Sequence, residues 1–187
     1  MIITAVRKAI IWMMAAVLLG GLSLAPPGAR GKEPAQRDSP QVMKLLKEAR
    51  SEASRLRTET VKLESYKNGR LSQQTHGLQL QVTKDHVNEL GKILDKLEAR
   101  KAEASPWQEK AIEEIRPLLE ELANRTTRAI EHVNQNPRQL QHSDYHEVLQ
   151  DKSALAAQLA NLLDDQVKYG EAKAELEELE STVGRPS

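Results

Sequence analysis

Between Val42 and Val183 the apolar residues return every three or four positions, the interval that lines one face of an α-helix. Phe is absent and aromatic residues make up only 3% of the 187 residues, so the large side chains that strands draw on are scarce. The expected fold class is all-α: an antiparallel four-helix bundle, or long helical hairpins with coiled-coil character. No period relates one helix to the next, which argues against a stacked solenoid.

Four helices can be placed from their caps and breakers. Ser39 followed by Pro40 reads as a start, a side-chain cap and then a residue whose missing N–H costs nothing there. Val42, Leu45, Leu46, Ala49, Ala53, Leu56 and Leu63 carry that helix to about Lys67, where Asn68 and Gly69 end it. The second helix is clearest at Leu80, Val87, Leu90, Leu94 and Leu97, spaced seven, three, four and three. Upstream, Leu78, Leu80 and Val82 alternate with Gln79 and Gln81 as a strand would, but a lone strand has no partner here, so helix is expected.

Ser105, Pro106 and Gln108 form a capping-box start for the third helix. Ile112, Ile115, Leu119, Leu122, Ala129 and Val133 keep heptad spacing if Thr126 takes the intervening core position, and Pro117 should kink the helix. After a loop from Asn134 to His142, Ser143 is expected to cap a fourth helix running to about Ser181 through Val148, Leu149, Leu155, Leu159, Leu162, Leu176 and Leu179. Its stripe shifts by an extra three-residue step near Tyr169 and Gly170, and the glycine softens that point.

The N-terminus is of another kind. Arg7 and Lys8 precede an uncharged apolar run over 9–25, the pattern of an export signal. At about 1.5 Å per residue it spans about 25 Å, short of the ~30 Å hydrocarbon core, so cleavage is preferred over an uncleaved anchor at residues 9–25. The expected organisation is a signal peptide at 1–25, a Pro- and Gly-rich flexible linker at 26–38, a helical domain at 39–183 and a tail at 184–187. Either way the body is expected outside the cytoplasm, periplasmic or secreted.

Charge narrows the partners. Lys plus Arg and Asp plus Glu each number 27, so no overall field favours nucleic acid or a lipid surface. Locally the balance is uneven: Asp38 to Arg70 holds eight basic and five acidic residues, net +3, and Ser143 to Val183 holds three basic and ten acidic, net −7. The first and last helices are therefore expected side by side, within one chain or between two.

Sites for chemistry are few. Without Cys there are no disulfides, thiolate metal sites or thiol nucleophiles. His142 and His146 stand four apart with Glu147 beside them, the spacing that puts two imidazoles on one helix face for a metal, and these three are the candidate metal ligands. The residues three before each histidine are Gln73, Thr83, Ala129, Gln139 and Ser143, so the Glu-x-x-His signature of a di-iron bundle is missing. No phosphate loop or nucleophile elbow occurs, and acidic pairs such as Glu113 and Glu114 read as solvated helix faces. Trp107, beside the third helix start, is expected to staple that end against a neighbour.

The expected function is that of an exported, non-catalytic protein without cofactor, presenting helix faces to protein partners or to a second copy. The alternative is an envelope sensor of a small ligand or metal built on His142, His146 and Glu147.

Overall fold

The computed structural model describes residues 37–66, 72–136, 140 and 142–183. The expected signal peptide, most of the linker, the Asn68–Gly69 stop, Pro137 and the tail lie outside them. Four helices follow in order, α1 (Pro40–Ser65), α2 (Gln73–Ala99), α3 (Pro106–Gln135) and α4 (Ser143–Val183), with a 3-10 turn at Lys101–Glu103 between α2 and α3. Among the described residues there is no strand. α1 and α3 each pack against both α2 and α4, so the four helices close a ring around a common core.

The starts follow from local chemistry. Ser39 Oγ accepts from the Val42 amide at 3.4 Å, and Ser72 caps α2 in the same way from Thr75 at 3.2 Å. At the head of α3, Gln108 Oε1 accepts from the Ser105 amide at 3.1 Å, as a capping box requires. The same side chain also clamps the head of α1, accepting from Ser39 N at 2.9 Å and donating to Ser39 O at 3.0 Å. One buried glutamine thus organises two helix starts.

Four expectations are refined. α2 begins at Gln73, upstream of the strand-like alternation: Leu80 is buried while Leu78 and Val82 face solvent. α3 runs unbroken from Pro106 to Gln135 across Pro117, whose side is exposed. Ser143 is the first helical residue of α4 rather than its cap, because the His146 amide bonds back to the His142 carbonyl at 3.3 Å. The interior face of α4 is Tyr145, Leu149, Lys152, Ala156, Leu159, Leu163, Val167 and Gly170; Val148, Leu155 and Leu162 sit beside it, and Leu176 and Leu179 lie outside the core.

Gly170 has a packing reason. A Cβ there would come within 2.7 Å of Trp107 Cη2 and 3.0 Å of Met43 Sδ, so the indole lies directly on the α4 backbone. Trp107 staples the head of α3 as expected, donating from Nε1 to Asp38 Oδ1 at 2.7 Å and meeting the Tyr169 ring edge-on at 5.2 Å. Beyond this point no residue of α4 is buried, so the three-residue shift in the stripe marks where the helix leaves the bundle.

The core divides in two. The larger cluster includes Leu46, Leu56, Val87, Leu97, Ile112, Leu122, Leu159 and Leu163. The smaller one comprises Leu63, Leu80, Ala129, Val133, Leu140, Tyr145 and Leu149. On every helix buried polar residues stand at the border: Thr60 between Leu56 and Leu63, Thr83 between Leu80 and Val87, Thr126 between Leu122 and Ala129, and Lys152 with Ser153 between Leu149 and Ala156. A polar tier therefore crosses the bundle.

Candidate functional site

The tier and the smaller cluster gather the unusual chemistry of the molecule. Lys152 is fully buried, and its Nζ donates to Thr83 Oγ1 at 2.6 Å. Desolvation pushes the amine down to about 7, because an ammonium removed from water loses more than one hydroxyl returns. Thr83 in turn donates to the Leu80 carbonyl at 2.9 Å. The Thr126 hydroxyl is buried without a hydrogen-bond partner.

Two turns toward the start of α4 lies an aromatic and imidazole cluster. His76 of α2 is fully buried, with Nδ1 3.2 Å from the Tyr145 hydroxyl. The Tyr145 ring stacks on His132 at 5.0 Å, and Tyr66 meets His76 edge-on at 6.2 Å. Burial raises the Tyr145 phenol above its ordinary range, so it stays protonated. Desolvation, and then the nearby charge of His146, lowers His76 and favours its neutral form. His76 Nε2 and His146 Nε2 are both sealed from solvent, and neither has a hydrogen-bond partner.

The three candidate ligands separate by exposure. His142 and Glu147 are exposed, whereas His146 is half-buried and leans into the cluster that holds His76. Among the described residues, no three His, Asp or Glu side chains converge as a metal cage. His86 is engaged elsewhere, with Nδ1 2.6 Å from Glu52 Oε1 on α1.

The opposite end carries a surface instead of a buried site. Asp38 Oδ1 accepts from Trp107 and, at 2.8 Å, from Lys173 Nζ. Despite its desolvation, these bonds lower the Asp38 carboxyl below the ordinary range. A groove of about 470 Å³ opens beside them, lined by Met43, Trp107, Gly170 and Ala174. From there α4 projects with Leu176, Leu179 and Val183 exposed at 61%, 55% and 84%. Glu171, Glu175, Glu177, Glu178 and Glu180 surround them against Lys173 alone.

No family model, curated protein or solved structure matches the chain. No helix among the described residues is long and apolar enough to cross a membrane.

Sequence reasoning from apolar spacing passed over His76, Thr83 and Lys152. The signal was a gap: Leu56 to Leu63, Leu80 to Val87 and Leu122 to Ala129 each skip one heptad position, and Thr60, Thr83 and Thr126 fill those gaps inside the core.

Proposed function

We propose that the chain is an exported, non-catalytic docking protein: an antiparallel four-helix bundle outside the cytoplasm that holds out the end of α4 for a partner protein. The observation that carries this reading is the projecting apolar stripe Leu176, Leu179 and Val183, spaced three and four on a helix that has left its own core. Its acidic surroundings favour a partner helix with an apolar face and basic flanks, and disfavour a second copy, whose carboxylates would repel.

The antiparallel arrangement is supported by cross-helix pairs whose numbers run in opposite directions. Glu52 meets His86 while Glu59 meets Gln79 on α1 and α2. Glu114 meets Gln166 while Arg125 meets Asp151 on α3 and α4. Coiled-coil character is supported by His76, Leu80, Thr83, Val87, Leu90, Leu94 and Leu97, an alternating four-three series of buried residues. Export rests on Arg7, Lys8 and the run after them, and the exported form should begin between Leu24 and Arg30 by N-terminal sequencing.

The test is a pull-down from envelope extract with the exported form and with a Leu176→Glu, Leu179→Glu variant. The expected result is a basic-helix protein retained by the first and lost by the second, with both showing the same circular dichroism and melting temperature. Equal retention by both, or a dimer mass by light scattering, overturns the docking assignment.

A further inference from the structure

We infer that the end of α4 is one strand of a two-stranded coiled coil, whose other strand is a partner helix with an apolar heptad seam flanked by Lys or Arg. The inference rests on the docking reading of α4 and names the face, the register and the charges of that contact.

Tyr169, Ala172, Leu176, Leu179 and Val183 follow one another at three, four, three and four residues, the alternation of a coiled-coil seam. All five are exposed. The buried series of the same helix ends with Leu163, Val167 and Gly170, and its continuation at the same spacing is Ala174, Glu177 and Ser181. At ~100° per residue, Ala172 lies about 200° round the helix from Ala174. The seam therefore faces away from the side that the bundle covers and from the groove that Gly170, Ala174 and Glu177 line. A partner on it lies along the outer face of α4 instead of lengthening the core.

This strand is already built. α4 is continuous from Ser143 to Val183, so the bundle supplies the nucleus that an isolated segment of two heptads lacks. At the base of the seam the Tyr169 ring meets Trp107 edge-on at 5.2 Å, which holds the first position in place.

The charges select the partner. Beside the seam stand Lys168, Lys173, Glu175 and Glu180, the positions from which one strand addresses the other. Lys168 is already paired with Asp164 at 2.7 Å, and Lys173 with Asp38 at 2.8 Å. Glu175 and Glu180 have no hydrogen-bond or ion-pair partner among the described residues. The uncommitted charge along the seam is thus negative, and basic residues on the partner answer it. A second copy laid parallel sets Glu175 against Glu180 and offers only lysines that its own carboxylates hold.

The experiment titrates the exported chain at low salt with a synthetic three-heptad peptide that has Leu at the seam and Lys at the flanks, and with a second peptide that has Glu at the flanks. Fluorescence anisotropy reads binding, and circular dichroism reads the helix gained. The Lys peptide should bind and become helical, and the Glu peptide should bind about tenfold more weakly or not at all. Ala172→Glu should weaken the Lys peptide by about tenfold or more, whereas Ala174→Glu, two residues on, should leave its affinity unchanged. Glu175→Gln with Glu180→Gln should remove most of the preference for the Lys peptide. No binding of the Lys peptide, equal affinity for both peptides, or equal effects of Ala172→Glu and Ala174→Glu overturns the coiled coil. The docking reading survives such a result if the envelope partner is still lost with Leu176→Glu, Leu179→Glu, and equal retention by that variant removes both.

Discussion

The two halves of the bundle are built from the same four helices, yet their interiors differ in kind. Around Gln108 and Trp107 the interior is aliphatic and most of its few buried polar groups are matched: both functional atoms of the Gln108 amide are used and the Trp107 N–H finds Asp38, with Ser105 Oγ left without a partner. Around Tyr145 the interior contains an imidazole, a phenol and an amine, and three of its polar atoms, His76 Nε2, His146 Nε2 and Thr126 Oγ1, are left over. Polar groups buried with incomplete pairing cost stability that an aliphatic core does not. The first half holds the fold together, and the second carries chemistry at the expense of stability.

Replacing Lys152 tests this contrast most strongly. Its amine is held at about 7 in the folded chain against an ordinary 10.5. Between those values the unfolded chain carries a proton that the folded chain lacks, so stability rises with pH across that window. The full difference corresponds to about 5 kcal/mol, missing at pH 7 and below and regained toward pH 10.5. The lowered His76 adds a further loss as pH falls below its ordinary 6.5. Lys152→Met, which keeps the length and removes the charge, should stabilise the chain at pH 7 by about 2–4 kcal/mol and flatten the rise above pH 7. Urea unfolding at pH 7 and pH 9.5 measures both, and a destabilised variant with an unaltered pH profile would mean that Lys152 is better solvated than its burial implies.

A smaller effect is expected at the aliphatic end, where packing rather than charge decides. Gly170→Ala gains about 1 kcal/mol in helix propensity, but its Cβ would press on Trp107 at 2.7 Å and on Met43 at 3.0 Å. Overpacking of this kind costs about 1–3 kcal/mol. The indole is rigid and pinned by Asp38, so the net change should be a loss of about 1 kcal/mol. Gly91→Ala is the control, since nothing lies within 4 Å of its Cβ, and it should gain up to about 1 kcal/mol. Thermal melts that rank the two the other way would show that Trp107 is free to move off α4.

How far the sequence foretold these halves depends on what each is made of. The aliphatic half was legible, because Ser39, Ser105, Pro106 and Gln108 announce helix starts by local chemistry and the leucine spacing announces the faces between them. The clamp from Gln108 to Ser39 was not legible, since it joins residues 69 apart in sequence and only the packed fold brings them together. In α4 the stripe was placed too near Val148, Leu155 and Leu162, because its interior uses Lys152, Ala156, Ala160 and Gly170, which apolar spacing undervalues. Thr126 was placed in the core from its spacing and is buried there, but Thr60, Thr83, His76 and Lys152 were hidden, because apolar spacing alone passes over polar residues even when they keep the heptad register. Of the candidate ligands, only His146 faces the buried cluster, because helix register rather than sequence adjacency decides which neighbours share a face.

The smallest effect should come from the surface of the aliphatic half, where α1 and α4 meet through charge. Lys47 pairs with Glu171 at 2.8 Å, and Arg50 lies 3.9 Å from both Asp164 and Glu171. Lys44, Arg55 and Lys62 pair instead within α1, with Glu48, Glu52 and Glu59, so the net charges of +3 and −7 overstate the attraction between the helices. The cross-helix pairs are solvated and largely screened by salt. Beneath them Leu46, Ala49, Leu56, Leu159 and Leu163 are buried in one cluster and supply the adhesion. Lys47→Glu with Arg50→Glu should therefore lower the melting temperature by no more than about 3 °C at low salt. High salt should recover part of that loss as the new repulsion is screened, while Lys44→Glu should leave the contact with α4 untouched. A drop far beyond this range, or one that salt does not relieve, would show that charge rather than burial holds α1 to α4.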